Sequence, residues 1–437
     1  MDLLIPECGL PALEKLSVYS DSGSGLVELH QLLSACPSLR KLHLCVEGGI
    51  EGGITSYQRD YRERLEELGK PLGPFRTSEE FFQRIVLGTL ADHKSLESLA
   101  LVGTSFQSYI ATKIPIENLQ CLELCLEEED PYFWGALPAE RMHLRTCNIG
   151  VYPMGNGNID AITKFFERLP PGLQELSYIL RGPVTTESIK SMMDFPLSKT
   201  FRRNHAKTLE SLAIGIVDAW SRGAGVEFRI GDRRSPRFRI PHEFYFHGSK
   251  LTEVCLSFHI QKTSQSVLRD YFQPGAAGLS HMTTWAPCPL AQRQFEGLPC
   301  LRNIRLIPNL HEFRRGEIPR IVRELNDRGD IWREKQLRLL DEFVTAVADD
   351  YEECYATIGK GPPPLQWISI VGGVSDVEQL AYRVEWELEP PPLKEGGVPA
   401  NIFREKYLPY TRLTPNHETL LKVEGTKYHK MKIMSFI

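Results

Sequence analysis

Cys36-Pro-Ser-Leu-Arg-Lys-Leu-His-Leu44 carries a six-residue pattern, apolar-x-x-apolar-x-apolar, at Leu39, Leu42 and Leu44. The same pattern returns at Leu13/Leu16/Val18, Leu96/Leu99/Leu101, Leu119/Leu122/Leu124 and Leu173/Leu176/Tyr178. It continues at Leu209/Leu212/Ile214, Leu251/Val254/Leu256, Leu301/Ile304/Leu306 and Leu365/Ile368/Ile370, with a weaker copy at Ala139/Met142/Leu144. Alternation in the last three positions is the two-residue period of a strand, so the second and third apolar residues share one face. Helical spacing precedes several copies. Leu26, Leu29 and Leu33 lead into the second. Phe82, Ile85, Val86 and Leu90 lead into the third, opened by Thr77-Ser-Glu-Glu80 as a capping box. Ile159, Ile162, Phe166 and Leu169 precede the Leu173 copy, and Leu337, Leu340, Val344 and Val347 precede the last.

A helix, a short loop and a strand, repeated, cannot bury their apolar faces one unit at a time. Successive units must stack, and their strands then pair in parallel at about 4.8 Å. The expectation is an α/β fold, a leucine-rich-repeat solenoid with a curved parallel sheet on the concave side and helices on the convex side. First positions fall at irregular intervals, so insertions are expected, and the gap from 39 to 96 has room for a degenerate repeat. Val226-Glu-Phe-Arg-Ile230 and Arg237-Phe-Arg-Ile240 flank a Gly/Ser/Pro turn and read as a hairpin inserted at about 224–242. The solenoid is expected over 1–375. Residues 376–437 are expected to hold a strand at 380–388, a Pro/Gly-rich loop and a capping tail.

Composition narrows the function classes. The chain has 437 residues, 42% hydrophobic and 24% charged, with a net charge of −5. That balance disfavours a general nucleic-acid binder. No apolar run reaches the roughly 18 residues of a membrane span, and the opening MDLLIPECGLPALEKL lacks a basic leader region. The ten cysteines are scattered, several inside repeat strands, and read as reduced residues. A cytoplasmic or nuclear location is expected.

The Cys36–Leu44 stretch, His205-Ala-Lys-Thr-Leu-Glu-Ser-Leu-Ala213 and Leu298-Pro-Cys-Leu-Arg-Asn-Ile-Arg-Leu-Ile-Pro-Asn309 resemble fungal F-box-type leucine-rich-repeat proteins, with ribonuclease-inhibitor-like repeats. The resemblance covers about residues 1–375. It implies a non-catalytic module that holds a protein substrate, linked to SCF-type ubiquitin ligation through a Skp-type adaptor and a cullin. No F-box-like opening stands before Leu13. Direct adaptor binding is therefore expected only where an F-box is supplied or hidden.

Residues between the inward apolar positions are expected to face a partner. They include Lys15, Lys41, His43, Arg141, His143, Arg145, Glu175, Arg305 and Trp367, with Trp367 and Arg305 the leading hot-spot candidates. The hairpin arginines Arg233, Arg234 and Arg237 form a second candidate surface for an acidic partner. An enzyme or nucleotide-binding protein using an inter-repeat insertion is the alternative. Its candidate motifs are poor. His242-Glu-Phe-Tyr-Phe-His247 spaces its histidines one residue too far for a zinc helix, and Gly359-Lys-Gly361 lacks the rest of a phosphate loop. Cys121 and Cys125 have no second ligand pair nearby. Gly155-Asn-Gly-Asn158 reads as a turn and Glu127–Asp130 as an acidic loop. No cofactor, metal or catalytic group is expected.

Overall fold

The computed structural model of this chain describes residues 10–20, 25–46, 55–67, 76–129, 132–151, 156–181, 199–217, 250–263, 284–287, 293, 295–309, 330–359, 361–371, 379–389 and 406–413. It is an α/β protein whose long, mostly parallel sheet takes twelve strands in sequence order, an arrangement consistent with a repeat solenoid. Two compact units make up the chain, Met1–Leu180 with Lys190–Leu209, and Arg181–Ile189 with Glu210–Ile437. The strands after 375 pair onto the strand before it and fall in the second unit.

The first unit runs β1 (Lys15–Ser20), α1 (Leu26–Ser34), β2 (Lys41–Val46), α2 (Ser56–Glu67), α3 (Ser78–Phe81), β3 (Ser98–Phe106), α4 (Ser108–Ala111), β4 (Cys121–Glu129), α5 (Phe133–Ala136), β5 (Thr146–Val151), α6 (Asn156–Arg168), β6 (Glu175–Arg181) and α7 (Lys199–His205). β1 to β6 pair in parallel, each with the next. The register places Leu16, Leu42, Leu99, Leu122, Cys147 and Leu176 in one row and Val18, Leu44, Leu101, Leu124, Ile149 and Tyr178 in another. From β2 onward every residue of both rows is at most 1% exposed. Leu16 and Val18, on a strand that pairs only with β2 among the described residues, are half-buried.

A main-chain device repeats at every step. The carbonyl just before each strand accepts two N–H groups from the start of the next. Glu14 accepts from Arg40 and Lys41, Arg40 from Glu97 and Ser98, and Glu97 from Gln120 and Cys121. Gln120 then accepts from Arg145 and Thr146, and Arg145 from Gln174 and Glu175. Side chains add to it: Ser95 Oγ donates to the Leu39 carbonyl at 2.9 Å, and Thr208 Oγ1 to the Leu173 carbonyl at 2.8 Å. Each satisfies a backbone acceptor that a tight loop-to-strand turn would otherwise leave short of donors.

Several local expectations change. The weak copy belongs at Leu144/Cys147/Ile149, not Ala139/Met142/Leu144. Ala139–Arg141 is a 3-10 turn, and β5 starts at Thr146 opposite Cys121. The 39–96 gap adds no strand to the sheet, because Lys41 pairs directly with Ser98; it supplies α2 and α3 instead. Phe82–Val86 form a π turn and Leu87–Asp92 a 3-10 turn. Buried residues at 81, 82, 85, 86, 87 and 90 crowd the segment more densely than one face of a 3.6-residue helix can hold. The forward half of the capping box is present, with Glu80 N–H donating to Thr77 Oγ1 at 3.1 Å, while the Glu80 carboxylate reaches one residue past the cap and accepts from Arg76 N–H at 2.7 Å. Asn156–Asn158 belong to α6 itself, and Glu127–Glu129 to the end of β4.

The second unit contains β7 (Ser211–Val217), β8 (Glu253–Thr263), β9 (Thr284–Pro287), β10 (Asn303–Asn309), α8 (Asp330–Tyr355), β11 (Trp367–Val371), β12 (Gln379–Leu388) and β13 (Tyr407–Leu413). β7, β8, β10 and β11 are parallel, and the paired carbonyl acceptors recur at Glu210, Thr252 and Arg302. Leu212, Val254, Ile304 and Ile368 form the buried row. β9 pairs antiparallel with the far end of β8. β12 and β13 close the array antiparallel.

The β13 edge is protected. Glu389 N–H donates to the Lys406 carbonyl, which makes Trp386/Pro409 a non-hydrogen-bonded pair and turns the Pro409 nitrogen away from β12. That nitrogen has no hydrogen to offer a further strand. On the same edge Tyr407 N–H donates to the Glu352 carboxylate of α8 at 3.3 Å. Thr345 and Thr411 join by their hydroxyls at 2.8 Å.

Candidate functional site

Opposite the core row, the strands of the first unit present three further rows. The first is Lys15, Lys41, Ser98, Cys121, Thr146 and Glu175. Next come Ser17, His43, Ala100, Glu123, Asn148 and Ser177, then Tyr19, Cys45, Val102, Cys125, Gly150 and Ile179. Ser17 Oγ and His43 Nδ1 share a hydrogen bond of 3.3 Å, and Thr146 Oγ1 donates to Glu175 Oε2 at 3.2 Å.

This face is not uniformly open. Glu123 is only 4% exposed, Ser177 and Ile179 are buried, and Cys45, Val102 and Cys125 form one buried cluster. Packing there is tight: a Cβ on Gly150 would meet Cys125 Sγ at 3.3 Å. Exposure is concentrated at β1 and the start of β2, on Lys15, Ser17, Tyr19 and Lys41, with His43 intermediate. Glu175 is also intermediate.

In the second unit the corresponding face holds an ion pair. Arg305 Nε bonds Glu253 Oε1 across β10 and β8, and Arg305 is 5% exposed. Cys255 lies on the same face; burial pushes its thiol up to about 12, with Arg305 pulling it down and Glu253 pushing it up. The expected hot spot at Arg305 is thus a buried, internally paired group. Trp367 is half-buried, opposite Arg383. The Glu253–Arg305 pair was readable in the sequence by aligning motifs, since Glu253 precedes its inward residue and Arg305 follows its own.

Arg141 and His143 are exposed but sit outside any strand, in the turn and loop before β5. Arg145 is exposed at the position just before β5, where its carbonyl serves the repeated acceptor role. Their expected strand-face places belong to Thr146, Asn148 and Gly150. Arg233, Arg234, Arg237 and the 224–242 hairpin lie outside the described residues, as do His242 and His247.

Among the described residues no group of three or more His, Cys, Asp or Glu is placed to hold a metal ion. No described helix is long and apolar enough to cross a membrane. Two imidazoles are buried where a helix gives way to the next repeat motif. His93 is 3% and His205 0% exposed. Burial lowers both, His205 to about 4 against an opposing pull from the Phe166 carbonyl, and His93 against the charge of Asp92. His205 packs on Phe201 at 4.9 Å between ring centroids. Both are core groups.

No protein-family model matches this sequence, and no curated protein is significantly similar to it.

Proposed function

We propose that this chain is a non-catalytic protein–protein interaction module built of leucine-rich repeats, and that its partners connect it to substrate recognition in SCF-type ubiquitin ligation. The observation that carries the first part is the constant register. Strand after strand, the same row positions return at fixed spacing, held by the same paired carbonyl acceptor. A frame of this kind fixes side chains for recognition of an extended surface. The ubiquitin link is supported by the sequence resemblance alone.

The test is affinity purification of the tagged chain from its own cells, read by mass spectrometry. Stoichiometric recovery of a partner together with the Skp-type adaptor and a cullin is the expected result. A partner without adaptor and cullin refutes the ubiquitin link and leaves the module reading standing. Recovery of no partner refutes both.

A further inference from the structure

We propose that the β1 end of the first unit binds an extended partner segment of alternating acidic and apolar residues, added as a strand to the β1 edge. The proposal rests on the interaction-module reading and names the chemistry of its partner. Three observations converge on it.

The first is the edge. Among the described residues β1 pairs only with β2. An edge strand offers main-chain donors and acceptors to any segment able to lie beside it. At the opposite end of the strand order that template is blunted by Pro409 and by the Glu352 carboxylate; β1 has no proline within Lys15–Ser20.

The second is the core row. Leu39, Leu42 and Leu44 of the next repeat are at most 1% exposed, whereas Leu13, Leu16 and Val18 are only half-buried. An added strand with apolar residues on that side would cover Leu16 and Val18 as β1 covers Leu42 and Leu44.

The third is charge. Lys15 and Lys41 stand directly opposite each other in register, both exposed, and neither takes part in an ion pair among the described residues. Like charges in that position destabilise a ladder. Arg40 nearby is committed to Glu97, and Glu14 is the exposed acidic residue beside Lys15. Acidic residues on the face side of an added strand would pair with the lysines, within reach of Ser17, His43 and the half-exposed Tyr19 ring. Charge sets partner choice and orientation, and the main chain supplies the pairing.

The probe is a fluorescein-labelled peptide, Gly-Glu-Val-Glu-Leu-Glu-Val-Gly, titrated against the full chain by anisotropy. Saturable binding is expected. It should weaken at least tenfold with Lys15→Glu/Lys41→Glu, at least threefold with Lys15→Gln/Lys41→Gln, and be lost when the central leucine is replaced by proline. Both variants change exposed side chains, and an unchanged thermal melt confirms that they fold. The proposal is overturned by no binding, by equal affinity for the peptide with lysine in place of glutamate, or by affinity unchanged in the charge-reversed chain. It is also overturned by a dimer in sedimentation that Leu16→Lys dissociates, which would give the edge to a second copy. If a cellular partner is still recovered by the charge-reversed chain, the β1 site fails and the broader module reading stands.

Discussion

Acid should loosen the first unit through His205. The imidazole is 0% exposed beside Phe201, at the end of α7, and its folded value is about 4 against an ordinary 6.5. Between those values the unfolded chain holds a proton that the folded chain excludes, so stability rises with pH there. The contribution is fully present above 6.5, is lost as pH falls toward 4, and changes no further below. Its full size is about 3 kcal/mol, with a steepest slope of about 1.4 kcal/mol per pH unit. His93, also lowered by burial, adds a component of the same sign.

His205→Leu keeps an apolar body in the site and removes the titration. Urea unfolding at a series of pH values from 4.5 to 7.5 separates the two contributions. Tryptophan fluorescence follows the unfolding, and with the other five tryptophans changed to Phe it reports on the aromatic cluster that links Trp134, Phe165, Phe166 and Phe201. The variant should show a flatter pH dependence than the parent chain and greater stability than it below pH 6. An unchanged slope would show that His205 is reached by solvent or takes its proton in the folded state, and would refute the burial argument.

Leu212→Ala removes a side chain 1% exposed in the β7 core row and should cost about 2–5 kcal/mol, seen as a lowered melting temperature. Arg305→Met leaves the half-buried Glu253 without its Arg305 ion pair and should cost about 1–3 kcal/mol, whereas Trp367→Ala, at a half-buried site, should leave the melt nearly unchanged. Pro409→Thr restores an outward N–H on β13 and should increase self-association in sedimentation, and an unchanged monomer fraction would show that α8 alone protects that edge. Thr208→Ala deletes the hydroxyl bond to Leu173 and should cost about 1 kcal/mol in the same melts.

The strands were legible because their pattern is redundant. Leu42, Leu99, Leu122, Leu176, Leu212, Val254, Ile304 and Ile368 obey one rule, and all are buried. The rule failed at β5, where Cys147 fills the second apolar position and Met142 offered a more hydrophobic but displaced match. Slipping the pattern moved Arg141 and His143 onto a face they do not occupy. The sequence carries a second cue: a small polar residue before the first apolar position, as in Ser95-Leu96, Asn118-Leu119 and Thr208-Leu209, bonds the preceding repeat. Exposure of the strand face was not legible, because alternation gives a side chain's direction and not what lies above it. Arg305 and Glu123 point the way the pattern says and are nevertheless buried.

That difference between direction and exposure decides where a partner can be met. From β3 to β6 the face residues Val102, Glu123, Cys125, Ser177 and Ile179 are buried, and in the second unit Cys255, Arg305 and Ser369 are too. Substitutions there act on stability first, so a loss of binding by them would not identify a contact. Among the described residues, two sets of side chains on or beside the parallel strands remain open. One is the β1–β2 face around Lys15 and Lys41. The other is the residue just before several strands: Glu14, Gln120, Arg145, Glu210, Arg302 and Gln366 are exposed, whereas Arg40 is held in its ion pair with Glu97, and Glu97, Gln174 and Thr252 are half-buried. At these positions the main chain carries the repeated carbonyl bonds, except that the Gln366 carbonyl accepts from Val384 in the antiparallel closure. The side chains are therefore free to differ without disturbing the frame. If the proposed interaction role holds, recognition that varies while the fold stays constant belongs at such positions; Arg145 sits there and not on the strand face.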